Sequence, residues 1–69
     1  MAESIKEQLF EAWRDWDLEL ENPAEKQADK DRLNELTDQY KKETGSSASR
    51  TLVRFYLREE YAEWRLKND

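Results

Sequence analysis

The chain has 69 residues, with 12 Lys and Arg, 17 Asp and Glu, and a formal net charge of -5. It contains no His and no Cys, which excludes disulfides, thiol and imidazole chemistry, and the usual zinc sites. Its single Gly excludes a Gly-rich phosphate-binding loop, because such loops need several positions of close backbone approach. We therefore expect one small domain over residues 1–69, without a cofactor.

The composition favours a folded chain in spite of its high charge. Charged residues make up 42% of the sequence and apolar residues 36%, but the apolar share includes three Trp, three Tyr and two Phe. Each aromatic side chain can bury roughly 150–250 Å², so a few of them can build a core. No apolar run approaches the roughly 18 residues of a membrane span, and residues 1–7 lack the features of a secretory signal. A cytoplasmic location, with no membrane contact, is predicted.

The first predicted helix covers residues 4–20. Ser4 and Glu7 have the spacing of a capping box, in which each side chain accepts the backbone N–H of the other residue. Apolar side chains then recur at intervals of three and four residues, which places them on one face of a helix. These are Ile5, Leu9, Trp13, Trp16 and Leu20.

The second predicted helix covers residues 23–44. Asn22 is a favoured N-cap residue, Pro23 suits the first helical position, and Glu25 completes a second capping box. Gly45 follows the last predicted helical residue, where a left-handed C-cap is expected. The apolar stripe between these boundaries is thin, and we expect the first half of the helix to be solvated. The stripe consists of Leu33, Leu36 and Tyr40.

The third predicted helix, residues 47–66, is apolar on two sides. One face carries Val53, Leu57, Tyr61 and Trp64. A second, broader face carries Leu52, Phe55, Tyr56, Ala62 and Leu66. A surface helix normally has one apolar stripe, so two stripes predict burial on two sides, one of them against another molecule. With no heptad pattern sustained over three or four cycles and no internal repeat, an all-α three-helix bundle is predicted.

Charge is distributed unevenly between the two parts of the chain. Residues 1–43 hold 7 basic and 13 acidic residues, whereas residues 45–69 hold 5 basic and 4 acidic residues. Arg50, Arg54 and Arg58 are spaced four apart and should form one basic ridge on the third helix. Together with the hydroxyls of Ser46, Ser47 and Ser49 at the helix start, this ridge is a candidate phosphate-binding surface. The alternative is that the arginines pair with the acidic first two helices.

Residues 42–54 resemble the turn and the recognition-helix start of a helix-turn-helix motif. The resemblance implies that helices 2 and 3 could contact nucleic acid through the basic ridge. The sequence departs from the motif at Lys41 and Ser46, where small or apolar residues are usual, and a net charge of -5 opposes binding to a polyanion. Nucleic acid is therefore the less favoured partner.

The aromatic residues are the second candidate site. Trp, Tyr and Arg are the residue types enriched at the energetic centres of protein interfaces, and they also fill cores. The candidate interaction set is Trp13, Trp16, Phe55, Tyr56 and Trp64. For the tryptophans, the simpler interpretation is a place in the core.

The acidic residues do not indicate catalysis or metal binding. Asp29, Asp31 and Glu35 superficially suggest a calcium loop, but the fifth and sixth positions are Leu33 and Asn34 rather than a ligand and Gly. No Ser or Lys has the spacing of a nucleophilic dyad, so no enzymatic activity and no small-molecule substrate are predicted.

The sequence favours a non-enzymatic helical adaptor or regulator that binds another protein or itself, as a homodimer. The second apolar face of helix 3 is the main support, because association would cover it. A small nucleic-acid-binding regulator is the alternative. A further alternative is that the acidic surface of helices 1 and 2, including Asp15, Asp17 and Glu19, mimics nucleic acid and occupies a basic partner.

Overall fold

A computed structural model describes residues 3–68 of the chain, and residues 1, 2 and 69 of the predicted domain lie outside this range. It contains three helices: α1 (Ile5–Leu18), α2 (Pro23–Thr44) and α3 (Arg50–Asn68). Residues 3–68 include no strand, and α1 packs against both α2 and α3. The predicted all-α three-helix bundle is confirmed. Within residues 3–68, no helix has an apolar stretch of the length that a membrane span requires.

Helix α1 begins where the sequence predicts and ends two positions early. The Ser4 hydroxyl accepts the backbone N–H of Glu7 at 3.1 Å. At the other end Glu19 is extended, and its carboxylate accepts the N–H groups of Glu21 and Asn22 at 3.1 and 3.0 Å. These bonds turn the chain toward α2. As a result Leu20, which we expected on the packed face of α1, is 84% exposed.

Helix α2 has the predicted bounds, and both of its caps form as expected. The Asn22 side chain accepts the N–H groups of Ala24 and Glu25 at 3.0 and 3.2 Å, and Pro23 occupies the first turn. Gly45 is left-handed, with φ of 68°, and its N–H donates to backbone carbonyls of the last turn. A left-handed C-cap with a donating N–H satisfies carbonyls that would otherwise lack partners.

Substitution of Gly45 by Ala is expected to lower the free energy of unfolding by about 1 kcal/mol, because a Cβ disfavours the left-handed backbone. Beyond Gly45 and its two chain neighbours, no atom lies within 4 Å of the position that the Cβ would occupy, so the loss comes from the backbone conformation alone. Urea denaturation measures it. The Gly45→Asn variant is the control, since Asn tolerates this conformation, and it should lose less than the Ala variant. Equal losses in the two variants would contradict this explanation.

Helix α3 begins at Arg50 rather than at about 47, and ends at Asn68 rather than at 66. The Ser46 hydroxyl accepts the N–H of Ala48, and the Ser49 hydroxyl accepts the N–H of Leu52, both at 3.2 Å. The Ser46 contact holds residues 46–48 in a turn outside the helix. Ser49 is the N-cap, because its hydroxyl accepts an N–H of the first helical turn, and it sets the start of α3 at Arg50. At its end, the Asn68 amide donates to the carbonyl of Trp64 at 2.8 Å.

The core lies between the three helices. The short link at 19–22 makes α1 and α2 an antiparallel hairpin that packs along much of its length, whereas α3 touches this hairpin more sparsely. Leu9 and Leu33 are completely buried, and the first half of α2 is mostly exposed, as predicted. The buried apolar side chains within 3–68 are Leu9, Phe10, Ala12, Leu33, Leu36, Val53, Leu57 and Tyr61.

Candidate interaction surface

The two apolar faces of α3 have different environments. Val53, Leu57 and Tyr61 are buried against α1 and α2. The opposite face, which we call the outer face, is exposed to solvent: Leu52 is 40% exposed, Phe55 54% and Tyr56 68%. Farther along the helix, Leu66 is 85% exposed, and Ala62 lies between the two groups. The outer face therefore consists of Leu52, Phe55, Tyr56, Ala62 and Leu66.

Three large side chains form a contiguous platform at the start of the outer face. Leu52, Phe55 and Tyr56 are neighbours at helical spacings of three and four, and the Phe55 and Tyr56 rings meet edge-on with centroids 6.1 Å apart. A shallow depression lies on each side. One is lined by Ser49, Thr51, Leu52 and Phe55, and the other by Tyr40, Thr44, Ser46, Val53, Tyr56 and Leu57. Together they give the platform a contoured apolar surface.

Two arginines border this platform. The Arg58 guanidinium lies over the Phe55 ring, 4.6 Å from its centroid, in a cation–π arrangement. Arg54 is half-buried, and burial together with the neighbouring Arg50 lowers the pKa of its guanidinium. Among residues 3–68, no carboxylate forms an ion pair with Arg54 or Arg58. Their charges remain available to a partner, because an arginine stays protonated at neutral pH.

Arg50, the first residue of the predicted basic ridge, is paired within the protein. Its guanidinium donates two hydrogen bonds to the Asp38 carboxylate, at 2.9 and 2.6 Å. This two-bonded contact lowers the pKa of Asp38 below its ordinary value and raises that of Arg50. The contact ties the start of α3 to α2. The alternative that arginines pair with the acidic helices is thus realised at this position.

The serines predicted to position phosphate have local roles. Ser46 and Ser49 accept the backbone N–H groups of Ala48 and Leu52. Ser47 is exposed beside them. These contacts use the hydroxyl lone pairs and one N–H of the first turn of α3, the same groups that a phosphate would contact.

The predicted aromatic set divides into a packed group and an exposed group. Trp13, Trp16 and Trp64 are half-buried against the core, whereas Phe55 and Tyr56 lie on the outer face. Trp16 is covered by Lys26, whose ammonium lies 4.6 Å from the ring centroid and donates to the Trp16 carbonyl at 2.7 Å. The simpler interpretation of the tryptophans, as packing residues, accords with these positions.

Trp13 and Trp64 join Phe10 and Tyr61 in a cluster between α1 and α3. The Trp13 and Tyr61 rings are stacked, with centroids 4.1 Å apart and planes inclined by 1°. Phe10 lies 5.7 Å from Tyr61 and 5.9 Å from Trp64, measured between centroids. These large rings link two helices whose backbones make few close approaches, and they fix the orientation of α3.

The Tyr61 hydroxyl is held in a small polar network at the edge of this cluster. It donates to the Asp17 carboxylate at 2.8 Å and accepts from Arg65 at 3.2 Å. Arg65 also lies 3.8 Å from the same carboxylate. Burial is the main reason that the pKa of Tyr61 is raised to about 12, with a further increase from Asp17 and an opposing effect of Arg65.

This raised pKa predicts an alkaline dependence of stability. Folding favours the neutral phenol of Tyr61. Its contribution to the free energy of unfolding is therefore complete below about pH 10, the pKa of Tyr in the unfolded chain, and is lost as the pH rises toward about 12. The free energies of unfolding of the protein and of the Tyr61→Phe variant, measured by urea denaturation, should therefore converge as the pH rises through this range. Tyrosinate absorbance provides a second measurement, in which the Tyr61→Phe variant should lack the component that titrates with a pKa of about 12. A constant difference between the two proteins would contradict the prediction.

The predicted candidate carboxylates for metal binding or nucleic-acid mimicry lie on helices, except Glu19, which lies in the link after α1. Asp29, Asp31 and Glu35 all fall within the continuous helix α2, not in a loop. Asp15 lies 3.4 Å from Arg32 and 3.6 Å from Arg14. No cluster of three or more acidic side chains within residues 3–68 is arranged to hold a metal ion.

Leu52 completes the exposed platform, although it is not among the candidate residues predicted from the sequence. The signal was present, because Leu52 precedes Phe55 by three residues and Tyr56 by four, which places all three on one helical face. Glu59 and Glu63, which lie on the same face, were also omitted. Charged residues are usually solvated, so no sequence feature distinguishes these two as interface residues.

No family model matches this chain, and no curated protein or solved structure is significantly similar to it. The class of this protein is therefore defined by its fold together with the exposed surface of α3. The protein is a small three-helix bundle in which the third helix presents an exposed aromatic and aliphatic face bordered by arginines.

Proposed function

We propose that this protein is a non-enzymatic interaction module that binds a protein partner through the outer face of α3. The supporting observation is the platform of Leu52, Phe55 and Tyr56, which is 40–68% exposed on a helix whose other side is packed. Contiguous apolar surface of this kind marks interaction sites, whereas isolated exposed apolar residues do not. The arginines beside the platform add the residue type that interfaces favour.

The amount of exposed surface suits a reversible contact. Taking ~150–250 Å² for each aromatic side chain, Phe55 and Tyr56 together leave roughly 250 Å² uncovered. Burying that area would contribute about 6 kcal/mol at ~25 cal/mol per Å². Association costs about 4–15 kcal/mol, so these two rings offset only the lower part of that range. A regulator or adaptor that binds and releases its partner needs contacts of this strength.

A protein partner is favoured over nucleic acid. In a helix-turn-helix protein the recognition helix turns polar side chains toward the base edges, whereas here the outward side chains are Leu52, Phe55 and Tyr56. Arg50 is also engaged by Asp38. The basic ridge thus offers fewer free charges for phosphate contacts than the sequence suggests, and counterion release would be correspondingly small.

Mimicry of nucleic acid by the acidic helices has less support, because the carboxylates concerned are engaged within the protein. Asp15 is close to Arg14 and Arg32, Asp17 to Arg65 and Tyr61, and Glu19 caps the link that precedes α2. These carboxylates contribute to the fold. A cytoplasmic location for the protein stays a prediction.

Site-specific photo-crosslinking in the source cell tests the proposed function. A photo-reactive phenylalanine analogue is placed at Phe55, and at the exposed Lys30 of α2 as the matched control. We expect adducts at position 55 that are absent or weaker at position 30, with mass spectrometry identifying the attached protein. Equal labelling at the two positions, or none at 55, would contradict an interaction site on α3.

A further inference from the structure

We infer that the outer face of α3 is covered by the same face of a second copy, with the two α3 helices running parallel about a two-fold axis. This inference rests on the proposed function and names the partner. It follows from the spacing of the apolar residues, the placement of charge beside them, and the rigidity of the helix that carries them.

Together with Glu59, the outer face contains a seven-residue repeat long enough for two heptads of a paired-helix seam. Leu52, Glu59 and Leu66 are seven apart, and Phe55 and Ala62 stand between them at the second seam position. Residues with these spacings occupy the a and d positions of a heptad, which face the partner in a two-helix association. All five lie on the exposed side of α3. The repeat is too short to be conspicuous in the whole chain, but it coincides with the surface that the bundle leaves uncovered.

The charges beside the seam determine the direction of pairing. In this register Arg58 is a g residue and Glu63 is the e residue of the next heptad. In a parallel pair, g contacts the e residue five positions later on the partner, so each Arg58 would meet Glu63 of the other copy. In an antiparallel pair the same flanks face each other, and Arg58 would meet Arg58. Within residues 3–68 neither Arg58 nor Glu63 has an ion-pair partner of its own.

Glu59 makes this association weak and adjustable. Its position in the centre of the seam places it opposite its own copy, where two carboxylates repel. In the parallel arrangement Arg58 of the second copy also borders this position, which partly offsets the repulsion. A charged seam residue lowers affinity while restricting the register, so we expect reversible dimers and not a permanent assembly.

Two heptads suffice here because the helix is already formed. Isolated helices of this length are marginal, since their nucleation is costly. In this protein Val53, Leu57 and Tyr61 fix α3 against the other two helices before any association takes place. The second copy therefore meets a preorganised surface, which reduces the entropy lost on binding.

Sedimentation equilibrium of purified protein at concentrations up to about 1 mM tests the inference. We expect a monomer–dimer equilibrium that Phe55→Ala weakens by at least about tenfold. Glu59→Leu should tighten the dimer by about tenfold or more. Circular dichroism of each variant verifies that the helices are retained. A natural-sequence protein that stays monomeric over this concentration range would overturn the inference, whatever the state of the Glu59→Leu variant.

Charge reversal tests the direction of the helices. Arg58→Glu and Glu63→Arg should each weaken the dimer, and the double variant should associate more tightly than either single variant, because the exchanged pair restores the contact. Stronger association of the Arg58→Glu protein alone, or no recovery in the double variant, would contradict parallel pairing.

Disulfide formation provides an independent measure of register, since the natural chain contains no Cys. Leu52→Cys and Leu66→Cys proteins, oxidised separately, should each form a covalent dimer, because identical seam residues face each other along a parallel pair. In an antiparallel pair centred on the outer face, the introduced Cys of one copy would lie roughly 20 Å from the same Cys of the other copy. Only a mixture of the two variants would then crosslink. Lys30→Cys is the control for random collision.

Failure of the inference and failure of the proposed function give different results. A monomeric protein that yields photo-adducts at position 55 with a different polypeptide would refute the second copy and retain the interaction site. A monomeric protein without such adducts would refute both. An acidic peptide or a nucleic acid recovered at position 55 in place of a second copy likewise overturns the inference.

Discussion

The Leu33→Ala variant is expected to lose about 3 kcal/mol of unfolding free energy. Leu33 is completely buried, in the part of α2 that contacts the rest of the core. Its replacement by Ala removes apolar contacts and leaves a cavity, because the neighbouring helices can relax only partly. A protein of this size is stable by roughly 3–10 kcal/mol, so the loss is a large share of the total.

Thermal denaturation should show this loss as a decrease in Tm of roughly 12–24 °C, since each kcal/mol changes Tm by about 4–8 °C in small domains. Leu66→Ala is the matched control: the same substitution at a side chain that is 85% exposed should change the stability of dilute protein by less than about 0.5 kcal/mol. Comparable losses at the two positions would mean that the core does not lie where the structure places it.

The Tyr61→Ala variant is the second with a large expected effect, a loss of about 3–4 kcal/mol. Tyr61 is buried in the aromatic cluster, stacked on Trp13 and bonded through its hydroxyl to Asp17. Truncation removes both the ring contacts and the hydrogen bond. Since α3 touches the other helices sparsely, we expect its docking to be more sensitive to this change than the α1–α2 hairpin is.

The Tyr61→Phe variant separates the two contributions. It retains the ring and lacks the hydroxyl, so its loss should be about 1 kcal/mol, the usual value for one hydrogen bond. Urea denaturation followed by Trp fluorescence and by circular dichroism measures both variants. If the Phe variant lost as much as the Ala variant, the polar network with Asp17 and Arg65 would be the main stabilising element, and the stacked ring would be secondary.

The proposed interaction surface should tolerate substitution much better than these core positions. Phe55 and Tyr56 contribute little to the core, since more than half of each side chain is exposed. Changes there can therefore alter association without unfolding the protein, which is what makes the outer face testable. The two sets of variants distinguish residues that stabilise the bundle from residues that are available to a partner.

The helices themselves are largely predictable from the sequence, because local interactions fix their boundaries. Pro23 begins α2 and Gly45 is its C-cap, and the Ser4 and Asn22 side chains cap the first two helices. Where the prediction differs from the structure, a local side chain again provides the reason. A turn at Ser46 and the N-cap at Ser49 set the start of α3 at Arg50, and the Glu19 carboxylate ends α1 before Leu20.

The sequence by itself determined three helices and two apolar faces on the third, since periodicity and capping are local properties. It could not determine which arginine finds a carboxylate, or which aromatic residues are covered. Those outcomes depend on contacts between distant segments: Arg50 with Asp38, and Trp13 with Tyr61. Only the tertiary structure decided that Val53, Leu57 and Tyr61 face inward, leaving Leu52, Phe55 and Tyr56 exposed, because the α1–α2 hairpin can bury one side of α3 and not both.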